Sequence, residues 1–303
     1  MDTESVRLFV MAADRLNISA AGRQLGLAPA VSSARLAKLE TQLGADLLHR
    51  STRKVSLSME GADFLPYARE ILAQEDAALA ALGHASAEIT GTLRFAASST
   101  FAQLYVAPLL GDFLDRYPGI NVELKLSDVP MDLIQGGFDL ALRNSVITDS
   151  SFRGRKLADD TRVLCASPEY LRHHGVPVVP EDLTAHQLLV FMNAKPRDLK
   201  SLRDEHSCSY PPSGSKCRVS CDDGTSMRLA AISGVGICMS SMWSVHKELK
   251  EGSLVRVLPD YEIDDQSAIW LVYPKSNVLT AKVRALIDFL IEKIGEPPIW
   301  TLQ

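Results

Sequence analysis

The sequence predicts an α+β protein in three parts: a small helical head, one long helix after it, and a larger α/β region. Three observations support this prediction. Apolar residues recur every three to four positions near the N-terminus. A heptad-like leucine spacing follows, and short β-prone runs then alternate with helical runs. A chain of 303 residues is long enough for several domains that each bury a core.

The composition is that of an ordinary globular protein, with 46% hydrophobic and 23% charged residues. No apolar run is long enough for a transmembrane helix, and the acidic N-terminus does not resemble a secretory signal. We therefore expect a cytoplasmic protein with no membrane contact. The five cysteines form no C-x-x-C pair, which suits reduced thiols.

The charge is distributed unevenly, although the net charge of −5 would by itself argue against nucleic-acid binding. Residues 1–58 contain eight Lys or Arg and five Asp or Glu, whereas the remaining residues contain 24 and 32. The head is thus mildly basic on an acidic protein, and a basic region of this kind is the electrostatic pattern that DNA attracts.

The head begins with two short helical patterns. The first apolar pattern predicts a helix over residues 5–16. Ser19 is a suitable N-cap for a second helix over residues 20–25, because its hydroxyl can accept a free N–H of the first turn. Gly26 suits the turn after that helix, and Pro29 suits the first position of a third helix. This arrangement is typical of a DNA-binding helix-turn-helix.

The third helix is expected to be apolar on one side only. Leu36, Leu39 and Leu43 form a stripe for the interior, and small residues near its start would allow close approach to base edges. Gly44 ends the helix, and β-prone runs around "STRK" predict a basic two-stranded wing for phosphate contacts. The residues expected to contact DNA are Ser19, Pro29, Ala30, Ser33, Arg35, Lys38, Arg50, Arg53 and Lys54. The alternative is a helical hairpin with a solvated basic loop.

A long linker helix is predicted from Ser58, a suitable N-cap, to about Glu88. Pro66 lies inside the pattern and should kink the helix or remove a hydrogen bond. Because a helix that joins two domains has little core of its own to cover, its apolar seam is expected to pair with a second copy. The seam residues, interrupted by Glu75, are Leu65, Ala68, Leu72, Leu79 and Leu82. The alternative is an amphipathic helix packed on its own domain.

The remaining chain shows a βαβ rhythm that predicts mostly parallel sheets. Segments that cross near Asp160 and Gln266 would divide it into two lobes, lobe I over residues 91–160 and 266–303 and lobe II over residues 161–265. Such a two-lobed domain resembles the periplasmic-binding-protein fold. Ligands in α/β folds of this kind bind at the carboxyl ends of strands.

The stretch "FVMAADRLNISAAGRQLGLAPAVSSARLAKLETQLGADLLHRSTRKVSLSMEG" resembles the winged helix-turn-helix of LysR-type transcriptional regulators. The matching residues are Phe9, Ala20, Ala21, Leu25, Leu39, Glu40, Leu43, Gly44, Leu47, Arg50 and Gly61. In an ungapped alignment, Ser32 stands where the family usually has valine and Ala34 where it has a basic or polar residue. That alignment leaves Pro29, Ser33 and Arg35 as the expected contacts.

The resemblance covers essentially the whole chain and implies its organisation. It implies an N-terminal winged helix-turn-helix over residues 1–58, a long linker and dimerisation helix over residues 59–90, and a C-terminal two-lobed α/β periplasmic-binding-protein-like domain over residues 91–303 that binds an effector. The expected partners are double-stranded DNA, a small-molecule effector such as a carboxylate, further copies of the chain in a dimer or tetramer, and, as an option, RNA polymerase. No cofactor or metal is expected.

The expected effector site lies between the two lobes. Ser98, Ser99 and Thr100 follow the first strand and open a helix, where hydroxyls and free N–H groups suit a carboxylate or phosphate; simple helix capping explains them equally well. Asp222 and Asp223 resemble the polar turn that faces the cleft in the family. Arg143 could pair with an anion or form a structural salt bridge, and Phe152, Arg162 and Met192 are weaker candidates for the cleft wall.

The residues favour two other functions less. An α/β enzyme or a solute-binding module is disfavoured, because no G-x-S-x-G, P-loop or H-E-x-x-H motif is present and because the head predicts DNA binding. A redox-responsive regulator would use Cys208 and Cys217, which enclose a polar loop and could form a disulfide if their Cα atoms lie within about 7 Å. Unreactive cysteines are the simpler interpretation.

Overall fold

The structure is a computed structural model that describes residues 1–50, 55–81, 89–128, 136–144, 151–192, 194–264, 267–275, 279–295 and 297–301. The chain divides into two compact units, the first dominated by residues 1–89 and the second by the chain that follows. Within these described ranges, no helix combines the length and the apolar character needed to cross a membrane.

The described part of residues 1–89 forms four helices and a two-stranded hairpin. In chain order they are α1 (Thr3–Arg15), α2 (Ile18–Gln24), α3 (Pro29–Leu43), β1 (Leu48–Arg50), β2 (Val55–Leu57) and α4 (Met59–Ala81). Strands β1 and β2 pair antiparallel, as the predicted wing requires. The wing residues Arg53 and Lys54, and the side chain of Arg50, lie outside what the structure describes.

Helix α2 begins earlier than expected, and the prediction that Ser19 caps it is wrong. The side chain of Asn17 accepts a hydrogen bond from the backbone N–H of Ala20 at 2.9 Å. Asn17 is therefore the N-cap, and Ser19 is the second residue of the helix. Leu16 takes a left-handed conformation (φ 48°) that ends α1 and leaves Asn17 free to start α2.

Helix α3 packs against α2 through one very close contact. Pro29 is its first residue and Gly44 ends it with φ 70°, both as predicted. Ser32 is fully buried, and a Cβ atom on Gly22 of α2 would overlap the Ser32 hydroxyl. Leu43 is 37% exposed, so its predicted place in the apolar stripe is wrong. The glycine at position 22 thus sets how closely the two helices cross.

The predicted seam of α4 lies on a single face, but the prediction that Ala68 and Leu72 form a dimer contact is wrong. Ala68 and Leu72 are buried in the apolar core of the first unit, and Leu65 packs against that core. Glu75, which interrupts the seam, accepts hydrogen bonds from Arg7 (3.0 Å) and Thr3 (2.5 Å) of α1. The first turns of α4 therefore cover α1, as the alternative interpretation of an amphipathic helix on its own domain states.

The seam continues beyond the core of the first unit. Leu79 is 49% exposed, whereas Leu82 lies outside the described residues. The start of α4 is fixed as predicted, because the Ser58 hydroxyl accepts a hydrogen bond from the Gly61 backbone N–H at 2.8 Å. A Cβ atom on Gly61 would overlap the Leu47 carbonyl, which explains the glycine at this position. The helix is continuous through Pro66.

The second unit consists of short strands and helices. Up to residue 160 these are β3 (Gly91–Ala97), α5 (Ser99–Phe101), α6 (Leu110–Arg116), β4 (Ile120–Leu126), β5 (Leu140–Asn144) and β6 (Phe152–Asp159). A π-helical turn (Ala102–Val106) and a 3-10 turn (Ala107–Leu109) join α5 to α6. The helical segment from Ser99 to Arg116 is thus irregular, and Pro108 accounts for part of this because it has no N–H to donate.

The rest of the second unit continues this pattern. Its elements are β7 (Arg162–Ala166), α7 (Pro168–His174), β8 (Gln187–Phe191), β9 (Arg197–Ser201), β10 (Ser207–Tyr210), β11 (Lys216–Cys221), α8 (Gly224–Ile232), β12 (Ile237–Ser241), α9 (Met242–Glu251), β13 (Val255–Val257), β14 (Tyr261–Asp264), β15 (Ala268–Pro274) and α10 (Ala281–Ile294). A 3-10 turn (Pro180–Ala185) precedes β8.

Two five-stranded sheets define the two lobes. Lobe I is built on the order β4-β3-β5-β15-β6, and lobe II on β11-β8-β12-β7-β13. In each sheet three neighbouring strands are parallel, whereas β15 in lobe I and β7 and β13 in lobe II pair antiparallel. A third, three-stranded sheet of order β10-β9-β14 was not expected from the sequence.

Candidate DNA-binding surface and candidate effector cleft

The outward side of α3 is small and weakly polar. Leu36 and Leu39 are buried, so residues spaced three and four apart on the other side face away from the core. The exposed residues on that side are Pro29, Ala30, Val31, Ser33, Ala34, Ala37, Lys38 and Thr41. The hydroxyl of Thr41 donates to the Ala37 carbonyl of its own helix at 2.8 Å. Val31, Ala34, Ala37 and Thr41 extend the surface expected from the sequence, and helical spacing alone could have identified them.

Cations around this surface differ in how they are engaged. Lys38 is exposed on α3, as is Arg23 on α2, which was missed as a candidate contact. Arg35 forms an ion pair with Glu4 of α1, and its side chain is 34% exposed. A phosphate that contacts Arg35 must therefore share it with Glu4, whereas Lys38 and Arg23 project into solvent.

In the second unit, the carboxyl ends of β3 and β4 bring two polar segments together. The strands are parallel with Ala97 opposite Leu126, and the Ser127 N–H donates to the Ala97 carbonyl at 3.0 Å. Asp128 therefore lies beside the predicted residues Ser99 and Thr100. Its Oδ1 accepts a hydrogen bond from the Ser99 backbone N–H at 2.6 Å. The rule that parallel strands end at one edge could have identified Asp128.

Asp128 also reaches lobe II. Its Oδ2 accepts a hydrogen bond from the Gly224 backbone N–H, the first residue of α8, at 2.9 Å. Thr100 extends the contact, since its hydroxyl lies 3.2 Å from that of Thr225. The Thr225 hydroxyl donates to Gln103 Oε1 at 3.0 Å. We call Ser99, Thr100, Gln103, Asp128, Gly224 and Thr225 the polar lobe contact.

Glycine at position 224 is required by the closeness of the lobes. A Cβ atom there would lie 2.7 Å from the Thr100 hydroxyl and 3.7 Å from Asp128 Oδ2. Thr100 is buried, so it has little room to move away. A side chain at residue 224 would therefore separate α8 from Thr100.

The other predicted effector residues have different surroundings. Asp223 is the N-cap of α8 and accepts the Ser226 N–H at 2.7 Å, a role that was not predicted from the sequence, and Asp222 is exposed. Phe152 is half-buried and packs on a cluster in lobe I with Ala96 and Val272, and it takes no part in the polar lobe contact. Met192 is exposed after β8.

The remaining predicted residues and the Ser98 hydroxyl lie as follows. Arg143 is half-buried on β5, where burial lowers the pKa of its guanidinium. The Ser98 hydroxyl is buried and does not cap α5. Arg162 donates a hydrogen bond to the buried Asp160 at 3.2 Å. None of these three residues belongs to the polar lobe contact.

A second contact between the lobes is aromatic. Trp243 of α9 packs edge-on against Phe101, with ring centroids 5.1 Å apart. Trp300 packs against Tyr105 at 4.9 Å, and the Tyr105 hydroxyl donates to the Trp243 carbonyl at 2.5 Å. The Trp243 indole N–H donates to the buried carboxylate of Asp160 at 2.9 Å. We call Phe101, Tyr105, Trp243 and Trp300 the aromatic lobe contact.

The cysteines are all free thiols. Cys208 lies on β10 and Cys217 on β11, which belong to different sheets. The two sulfur atoms that do meet are those of Cys165 and Cys238, 3.5 Å apart in the core of lobe II. Their hydrogen bond, together with burial, holds the pKa of the Cys165 thiol well above its usual value, which keeps it protonated and unreactive. Among the described residues, no group of His, Cys, Asp and Glu could hold a metal ion.

Two family models match this chain. The model of a bacterial regulatory helix-turn-helix protein of the lysR family matches residues 3–62, and the model of the LysR substrate binding domain matches residues 86–295. The chain is 33% identical over 295 residues to the HTH-type transcriptional regulator CrgA of Neisseria meningitidis serogroup C (strain 8013), covering 97% of each. It is 32% identical over 294 residues to the HTH-type transcriptional regulator DmlR of Escherichia coli (strain K12), covering 96% of this chain and 94% of that protein.

Solved structures give the same result. The structure of CrgA, a LysR-type transcriptional regulator from Neisseria meningitidis, superposes with a TM-score of 0.63 at 31% identity, covering 97% of this chain and 99% of that one. The full-length structure of the Vibrio cholerae virulence activator AphB superposes with a TM-score of 0.59 at 26% identity, covering 96% and 99%.

Proposed function

Because the chain belongs to the LysR family of DNA-binding transcriptional regulators, we propose that it reads a two-fold-related DNA site as an oligomer and responds to a small anionic effector bound between its lobes. It is a regulator with an effector-binding domain and not an enzyme. The polar lobe contact is the observation that supports an anionic effector: backbone N–H groups of both lobes converge on one carboxylate there.

DNA binding is proposed to use the outward side of α3 together with the wing. The exposed Ala30, Ser33 and Ala34 allow the start of the helix to approach base edges, and Lys38 supplies a cation for phosphate. Pro29 and Arg35 remain proposed contacts, Arg35 by exchanging Glu4 for phosphate. Arg50, Arg53 and Lys54 are proposed as phosphate contacts of the wing. Ser19, at the start of α2, remains a proposed contact to the DNA backbone, although it is not the N-cap of the helix.

Self-association is proposed through the part of the α4 seam that the first unit leaves uncovered. Leu79 continues the line of Leu65, Ala68 and Leu72, yet it is exposed. A Leu79→Lys variant should shift the sedimentation equilibrium toward monomer. Gln74→Lys, which changes an exposed position on another face of the same helix, is the matched control. Equal dissociation of both variants would contradict the assignment.

The proposed function is tested by footprinting the full-length protein on the DNA upstream of its own gene, with excess competitor DNA at physiological salt. Protection of two half-sites about one helical turn, or a multiple of it, apart is the expected result. Lys38→Gln should weaken binding to all sequences and lower the salt slope by about one unit per lost phosphate contact. A generic basic surface, in contrast, would give protection that competitor DNA removes at every site.

Contact with RNA polymerase is a further proposal that follows from the regulatory role. It is tested by adding purified polymerase to the footprinted complex. An extended protected region supports a direct contact, and an unchanged footprint contradicts it.

A further inference from the structure

We propose that Asp128 is the specificity-determining residue of the cleft: its carboxylate occupies the position of an anionic effector, holds the lobes together, and must be displaced for such an effector to bind. This inference rests on the proposed binding of an effector between the lobes. It concerns one side chain that links lobe I to lobe II through both of its oxygen atoms.

Asp128 accepts the N–H group that opens each of two helices, Ser99 of α5 and Gly224 of α8. The first N–H groups of a helix have no partner within the helix, and the Ser98 side chain does not cap α5. Asp223 does cap α8, but it accepts the Ser226 N–H and leaves the Gly224 N–H to Asp128. Asp128 therefore satisfies one donor in each lobe that the adjacent residues leave open.

The surrounding geometry also favours contact over separation. The Thr100 hydroxyl lies 3.4 Å from Asp128 Oδ2 and 3.2 Å from the Thr225 hydroxyl. Gly224 has no side chain, and so the backbone of α8 can approach Thr100. These contacts are all polar and, unlike an apolar core, can be exchanged for hydrogen bonds to a ligand at little net loss.

In this arrangement Asp128 competes with a ligand carboxylate for the same N–H groups. A ligand carboxylate that uses the Ser99 and Gly224 N–H groups cannot share them with Asp128 at full strength. Binding of the ligand would release the Asp128 side chain, and the ligand would then replace Asp128 as the link between the lobes. This replacement changes the relative stability of the lobe arrangements. An effector shifts the protein between states only by such a difference in affinity. A small monoanion therefore does not displace Asp128 from the wild-type site unless it makes further contacts with the protein.

The test supplies the missing carboxylate from solution. Full-length wild type, Asp128→Ala and Asp128→Asn are melted in sodium acetate and in sodium chloride of equal ionic strength. Asp128→Ala should have a lower Tm than wild type in chloride, and acetate should raise that Tm. The acetate dissociation constant obtained from this rise should be at least tenfold lower for Asp128→Ala than for wild type. Asp128→Asn keeps the shape of the side chain, and should also be less stable in chloride but gain less from acetate, because its amide remains in the site.

The matched control is Asp223→Ala, which removes a cap from the same helix without removing a link between the lobes. It should lose stability and gain little from acetate. An equal response of wild type, Asp128→Ala and Asp223→Ala would overturn the proposal, as would an unchanged Tm of Asp128→Ala. DNA footprints of the same proteins distinguish failure of the Asp128 proposal from failure of the proposed function. If acetate does not rescue Asp128→Ala but the wild-type footprint is intact, only the role of Asp128 is overturned. If the wild-type footprint is missing, the proposed function is overturned.

Discussion

The two lobes meet in two places of opposite chemistry. The aromatic lobe contact buries Phe101, Tyr105 and Trp243 almost completely, and one of its rings also donates to a buried carboxylate. The polar lobe contact consists of hydrogen bonds between backbone N–H groups, hydroxyls and Asp128. Buried aromatic area is lost at a large free-energy cost, whereas an accessible hydrogen bond is exchanged for water or ligand at a small one.

This difference indicates that the two contacts have different roles. The aromatic lobe contact keeps the lobes associated, and the polar lobe contact is the part that a ligand can rearrange. Changing each contact separately tests whether their roles differ in this way.

The largest effect is expected from Trp243→Ala. The substitution removes a buried ring packed on Phe101 and leaves Asp160 without one of its donors, so the free energy of unfolding should fall by about 3–5 kcal/mol. Trp243→Phe, which keeps a ring but loses the N–H, should lose only about 1–3 kcal/mol. Denaturant unfolding of both variants checks this order, and equal losses would show that the ring itself contributes little.

A smaller effect is expected from Gly224→Ala. The added methyl group would lie 2.7 Å from the Thr100 hydroxyl, and such overpacking lowers the free energy of unfolding by about 1–3 kcal/mol. Thr100→Ala removes that oxygen, so the double variant should be more stable than the sum of the single losses predicts. A strictly additive double-mutant cycle would contradict the close approach of α8 to Thr100.

The smallest effect concerns pH and the aromatic lobe contact. Burial lowers the pKa of His246 below its usual value of 6.5, and the Tyr105 hydroxyl lies 3.3 Å from its Nδ1. Because the folded state disfavours the protonated imidazole, the unfolded chain binds more protons as the pH falls below about 6.5, and the free energy of unfolding decreases there.

His246→Phe should therefore reduce the loss of Tm between pH 7.5 and pH 5.5 relative to wild type. Burial also lowers the pKa of His186, so the comparison is between the two proteins and not between pH values alone. An identical pH dependence of wild type and His246→Phe would assign the effect to other groups.

Local sequence signals predicted the elements that local interactions determine. Pro29, Gly44 and Ser58 begin or end helices where expected, because each acts through its own backbone or through a side chain that bonds a residue close in sequence. Ser19 failed because Asn17 offered a better-placed acceptor two residues earlier. Periodicity also identified the seam of α4, but it could not show that α1 already covers Ala68 and Leu72.

The site depends on contacts distant in sequence, which explains why it was predicted only in part. Ser99 and Thr100 were expected at the effector site, and in the structure they lie where the two lobes meet. Asp128 meets them only because β3 and β4 are parallel neighbours. Its partner Gly224 follows almost a hundred residues later, and no pattern in one sequence records that pairing.

The most direct test of these different roles of the two lobe contacts is hydrogen exchange on full-length wild type and Asp128→Asn. We predict faster exchange in the peptides that contain Ser99 and Gly224 and unchanged exchange in the peptide around Trp243. Equal acceleration at all three, or none at any of them, would contradict the claim that the lobes are joined by one fixed and one exchangeable contact.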